Sequence, residues 1–317
     1  MFILPYDVID EITEIIRQEN DDRSLYAMSL TSRSMLQLCR RKLFGEMDLL
    51  PRSLNDSRVG KLPSYRFFPA TSYRRRTVEL LAASSPDILA NVRRLSITPN
   101  KFDEEDRQDT TLCTLLEKFT NLRSLSLVAS IMFQYGQQSW TSLPLSYQHS
   151  IAQLIHKSPL RSLSFASYTG LSSDILLQLQ NLDSLTLRNI TFSSQLPAQL
   201  PISLVGRSAI APVQLKELRV TQRIESIMAL LNSKSWNGQP IIDPKALRSL
   251  IVDPIRENDM TWDPNVFKEL SGLKYLVISD NDESRFNYSI DILHNLQTSS
   301  LASLFFLRYE IAYSGAP

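Results

Sequence analysis

The chain has 317 residues, with 34 Lys and Arg against 33 Asp and Glu. A formal net charge of +1 excludes the basic excess of a general nucleic-acid or anionic-membrane binder. Two cysteines, Cys39 and Cys113, stand too far apart for a disulfide framework or a zinc spacing, which predicts buried free thiols and a reducing compartment, cytosol or nucleus.

The first 44 residues predict a small helical module. Pro5 suits the first turn of a helix and Asp7 its positive dipole end. Ile9, Ile12 and Ile16 then recur at helical spacing, and Val8 and Ile15 widen that stripe. Asn20, Asp21 and Asp22 end the helix and offer caps for a second, from Arg23 to about Leu30. Ser32 can cap a third, which carries Met35, Leu36, Cys39 and Leu43 on one side. A module of this size cannot bury its own apolar residues. A surface shared with a partner would supply about 25 cal/mol per Å² of apolar area removed from water. The alternative is a helical cap that packs on the rest of the same chain. Asp7, Asp10 and Glu11 stand where a signal peptide would carry its apolar run, so export by that route is not expected.

At these residues the chain resembles the F-box family. The Leu-Pro opening falls on Leu4 and Pro5, and the apolar pair on Val8 and Ile9, with Ile12 next. The small-polar, basic, x, aromatic signature falls on Ser32 to Met35, with Met35 where the family usually has Trp, and Phe44 matches the bulky residue that closes the motif. The resemblance covers about one-seventh of the chain. It implies docking onto the Skp-type adaptor of a cullin–RING ubiquitin ligase through Leu4, Pro5, Ile9, Ile12, Leu25, Leu30, Leu43 and Phe44.

Residues 49–76, with three prolines between Pro51 and Thr71, predict a linker between a module at 1–48 and a larger region at 77–317. In that larger region a Leu-x-x-Leu-x-Leu template recurs. Its copies begin at Val92, Leu122, Leu160, Leu182, Leu215, Leu247, Leu273 and Leu301. The last two apolar positions of each copy alternate with polar ones, which predicts a short strand pointing them inward. Glu46 to Leu49 is a degenerate first strand. Helices are expected at 77–83, 112–119, 150–156, 174–179, 224–231, 265–270 and 289–296. One strand and one helix cannot close a core, but stacked side by side they can. The expected fold is therefore α/β, a leucine-rich-repeat-like curved solenoid with parallel strands inside and helices outside. An open sheet with helices on both sides is the alternative, and the missing Gly-rich turn argues against its nucleotide-binding forms.

The outward strand positions form two columns. Their early rungs are small and hydroxylated, while the last rungs add Ile251, Tyr275, Val277 and Phe305 as a candidate target-binding strip. Strand propensity alone, or a C-terminal tail folded over them, accounts for the same residues. Signatures of chemistry are missing: no P-loop, G-x-S-x-G elbow or H-E-x-x-H occurs, and His149, His156 and His294 lack companions for a metal set. The expectation is a non-catalytic substrate receptor without cofactor or metal. It would hold a Skp-type adaptor, and through it a cullin, by its helices and an unknown target protein by its repeats. A repeat scaffold with no ligase role is the alternative.

Overall fold

The computed structural model describes residues 5–19, 21–50, 72–85, 87–98, 110–129, 137–177, 179–193, 211–222, 225–235, 238–255, 268–280 and 306–311. It is a mixed α/β protein that divides into two compact units, one of residues 1–126 and 149–159, the other of residues 127–148 and 160–317. Of the residues 49–76 expected as a linker, 51–71 lie outside the described residues, while Leu49, Leu50 and residues 72–76 belong to regular elements.

The first unit opens with α1 (Tyr6–Gln18), α2 (Asp22–Ser29) and α3 (Arg33–Leu43). Pro5 sits at the cap of α1 rather than inside it, and its carbonyl accepts the N–H of Ile9. Asp21 caps α2 by accepting the Ser24 N–H at 3.1 Å, and Ser32 caps α3 by accepting the Met35 N–H at 3.2 Å. Strand β1 (Glu46–Leu50) follows, and β2 (Ser72–Arg74), α4 (Arg75–Ser84), α5 (Asp87–Asn91) and β3 (Arg94–Ile97) complete the first turn of chain. β1 lies parallel between β2 and β3, with Met47 opposite Leu95 and Leu49 opposite Ile97. Those four side chains are buried, as the alternation requires. Gly45 makes the passage from α3 to β1 possible. Its carbonyl accepts the N–H groups of both Arg93 and Arg94, and a Cβ there would come within 2.6 Å of the Arg41 carbonyl oxygen. The helix α6 (Thr110–Leu116) precedes β4 (Ser124–Val128).

The second unit repeats one strand per copy. β6 (Ser162–Ala166), β8 (Ser184–Arg188), β9 (Glu217–Gln222), β10 (Ser249–Ile255), β11 (Tyr275–Asp280) and β12 (Phe306–Ile311) pair in sequence order, all parallel. Leu163, Leu185, Leu218, Leu250 and Leu276 align across the first five and are fully buried. The leucine that starts each of these copies is buried too, as at Leu160, Leu182, Leu215, Leu247 and Leu273.

The segments that connect the strands vary in form. α7 (Leu145–Lys157) is a full helix that buries Ile151, Leu154 and Ile155, and α8 (Glu225–Leu231) is two turns long. The helix expected at 174–179 is instead a 3-10 turn, Ser173–Leu176. Only 22 residues separate Leu160 from Leu182, and the tighter turn fits where an α-helix does not. Residues 268–269 also form a 3-10 turn, and the helix expected at 289–296 lies outside the described residues.

Two features depart from the expected pattern. A second, two-stranded pairing joins β5 (Gln138–Ser139) to β7 (Tyr168–Thr169). It seats Trp140 edge-on against Tyr168 at 5.5 Å and Phe165 at 6.5 Å between ring centroids. The last repeat is also displaced by three residues. Phe306 stands opposite Tyr275 and Arg308 opposite Val277. The copy therefore starts at Leu304, not Leu301, and Phe305 holds neither of the two column positions assigned to it and to Ser303.

Candidate interaction surfaces

The helical module is held by charge as well as by apolar packing. Lys42, in the last turn of α3, reaches Glu14 at 2.8 Å and Asp10 at 3.2 Å on α1. Arg17 meets Glu14 at 2.6 Å and Glu46 of β1 at 3.2 Å, and Glu46 in turn meets Arg94 of β3 at 3.0 Å. Lys42 is thus a packed ion-pair partner of α1 and not a solvated charge. Hydrogen bonds from Arg17 and Lys42 hold the Glu14 carboxyl down to about 2, from an ordinary 4.5. Cys39 is buried and its thiol is pushed up by desolvation, while Cys113 is only half-buried.

These contacts use one edge of the apolar stripe on α1. Ile9 and Ile16 are half-buried beside the fully buried Thr13. The other edge is bare. Val8, Ile12 and Ile15 follow one another at i, i+4 and i+7, with Ile12 37 % and Ile15 49 % exposed. α2 divides in the same way. Leu25 and Ser29 point inward, while Tyr26 and Leu30, also four apart, are 63 % and 72 % exposed. Leu25, one of the expected adaptor contacts, is fully enclosed in the module, while Tyr26 beside it is exposed. Of the other expected adaptor contacts, Pro5, Ile12 and Leu30 are exposed, Ile9, Leu43 and Phe44 are half-buried, and Leu4 lies outside the described residues. Val8, Ile15 and Tyr26 complete the bare surface.

The outward positions of the second unit's strands form the columns expected. Ser162, Ser184, Glu217, Ser249 and Tyr275 share one register row, and Ser164, Thr186, Arg219, Ile251 and Val277 the next. Tyr275 is exposed, and Ile251 and Val277 are half-buried. Phe305 lies outside the described residues, and the residue opposite Val277 is Arg308.

Titratable groups are scattered. His149 is exposed and bonds Gln153, and His156 is half-buried with Nδ1 unpartnered. Among the described residues no group of three or more His, Cys, Asp and Glu is placed to hold a metal ion, and no helix is long and apolar enough to cross a membrane.

No family model matches the chain, and no curated protein matches it. Among solved structures it is similar to the crystal structure of a TLR13–ssRNA13 complex, with 16 % identity and a TM-score of 0.37 over 77 % of this chain and 36 % of that one. The chain thus spans little more than a third of that protein's length.

Proposed function

We propose that the chain is a protein-interaction scaffold of the leucine-rich-repeat solenoid type, and that it serves as the substrate-recruiting F-box subunit of a Skp–cullin–RING ubiquitin ligase. In this reading the chain itself makes and breaks no bonds. It holds a Skp-type adaptor by α1 and α2 and a target protein by its strand columns. Tethering raises the local concentration of a target lysine beside a ubiquitin-conjugating enzyme.

The observation that carries the adaptor half is the bare apolar edge of Val8, Ile12 and Ile15 with Tyr26 and Leu30. These are five of the nine large hydrophobic residues exposed among the described residues. Exposed apolar side chains set four or three apart on a folded helix are the anchors of helix-mediated recognition. The test is direct binding of purified Skp-type adaptor to the full chain, followed by biolayer interferometry. Unchanged circular-dichroism melts of Ile12→Asp and Leu30→Asp separate loss of binding from loss of fold. Binding by the wild type and its loss in both variants is the expected result. No binding, or binding unchanged in the variants, overturns the ligase role.

One observation favours a second reading. The chain of ion pairs from Arg17 through Glu46 to Arg94 ties α1 to the first strands of its own unit. A helical cap that closes a repeat array would be tied in this way. In that reading the adaptor does not bind, and removal of residues 1–44 destabilises the first strands.

A further inference from the structure

On the outward side of α1 one row of residues repeats every four positions: Asp7, Glu11, Ile15 and Glu19. Neighbours in such a row lie one above the other, about 5–6 Å apart, so Ile15 of the bare edge stands between two carboxylates. Val8 and Ile12 form the row beside it. Asp7, Glu11 and Glu19 are all exposed, and among the described residues none of the three forms an ion pair. The charges of α1 are thus sorted by direction. Asp10 and Glu14 meet Lys42, and the one cation of the helix, Arg17, is engaged by Glu14 and Glu46. What α1 shows outward is apolar or negative.

Helix stability accounts for only part of this row. Asp7 lies in the first turn, where the dipole favours an anion. Glu11 lies a full turn further in, and Glu19 caps the C-terminus, where the dipole disfavours a carboxylate. A solvated acid row aids solubility wherever it stands, but beside uncovered isoleucines it also decides what can cover them.

We propose that the bare edge of α1 is covered by a protein partner whose apolar surface is bordered by Lys or Arg on the side of Glu11 and Glu19. Charge complementarity selects this occupant over two others. A second copy docked by the same edge brings the same acid border to both sides of the contact, and like charges there repel. An anionic lipid surface is repelled by the row, and helices that lie on membranes carry Lys and Arg beside their apolar face. Acids that meet cations across a rim steer the encounter and reject acidic partners. The inference rests on the reading of this edge as a docking face, and it adds the electrostatic class of what docks there.

The test uses the full chain and two labelled amphipathic helical peptides that share one leucine stripe, one flanked by lysines and the other by glutamates. Fluorescence anisotropy at low salt should show binding of the lysine peptide, weakening several-fold toward physiological salt, and none of the glutamate peptide. Glu11→Lys with Glu19→Lys should cost the lysine peptide at least about tenfold in affinity. Ile15→Ser should weaken it several-fold, because charge alone does not hold it. Reversal of two exposed acids elsewhere, Glu117→Lys and Glu269→Lys, should change it little. A neutral version, Glu11→Gln with Glu19→Gln and an unchanged circular-dichroism melt, separates loss of charge from loss of fold. No binding of the lysine peptide, equal binding of both peptides, or equal losses in the row and control variants each overturn the assignment. So do a dimer of the chain that Ile15→Ser dissolves in sedimentation velocity, and binding to phosphatidylserine vesicles that Ile15→Ser abolishes. A flat peptide titration beside intact adaptor binding sinks only the basic border. Absent adaptor binding sinks the ligase role and leaves this titration standing.

Discussion

Glu14 joins two cations from two different elements, Arg17 on its own helix and Lys42 on α3. Its carboxyl is held down to about 2, so the folded protein keeps it charged where the unfolded chain has taken up a proton. The stability it contributes is present above its ordinary 4.5 and is lost as the pH falls from there toward about 2. Thermal midpoints of the wild type should fall more steeply across that window than those of Glu14→Gln. Equal slopes would remove Glu14 from the clamp. His156 acts in the opposite chemical direction. Burial lowers its pKa, so the folded state disfavours the charged ring. Below its ordinary value near 6.5 the unfolded chain binds the extra proton, and stability declines as the solution is acidified through the lowered folded value. His156→Gln should flatten that decline in denaturant midpoints measured at successive pH values, and a decline of unchanged slope would contradict it.

At the scale of elements, the Leu-x-x-Leu-x-Leu strands were legible because the three marked positions are buried for the same reason in each copy from Val92 to the one that starts at Leu273. Leu215, Leu218 and Val220 show it in β9, and Leu247, Leu250 and Val252 in β10. The last copy was not legible in its register. Leu301, Leu304 and Leu307 recur every three residues, so two overlapping templates fit, and only the pairing of β12 with β11 chooses the later one. β5 and β7 carry no alternating apolar pair and are two residues long, which leaves no periodicity to read. The candidate docking face was half legible. The excess of apolar residues on α1 stands in the sequence, but which edge is bare depends on where α3 packs, and Lys42 finds Glu14 across 28 residues of chain. Turns add a further constraint that composition hides. A Cβ on Gly272, just before β11, would collide with the carbonyl oxygen of Lys245 and crowd that of Leu247 at 3.2 Å. Backbone cannot yield as a side chain does, so Gly272→Ala is expected to cost about 1–3 kcal/mol in urea unfolding. A variant as stable as the wild type would mean that the turn is free to open.

Across the whole molecule the repetition of one template sets how stability is shared. Leu218 of β9 lies in register between Leu185 of β8 and Leu250 of β10, and all three are fully buried. A strand in such an array has no core of its own; it owns half of each interface with its two neighbours. Truncating Leu218 to Ala therefore opens a cavity bounded by both. The expected cost is about 2–5 kcal/mol, the range for a buried Leu→Ala change. The more telling readout is amide hydrogen exchange, because the loss should not stop at β9. The N–H groups of β8 and β10 should exchange faster in Leu218→Ala than in the wild type, while β3, in the other unit, should change little. Faster exchange confined to β9 would show strands that are stable one by one. Equal acceleration in β3 would show a single cooperative block, in which neighbour-by-neighbour stacking has no separate meaning.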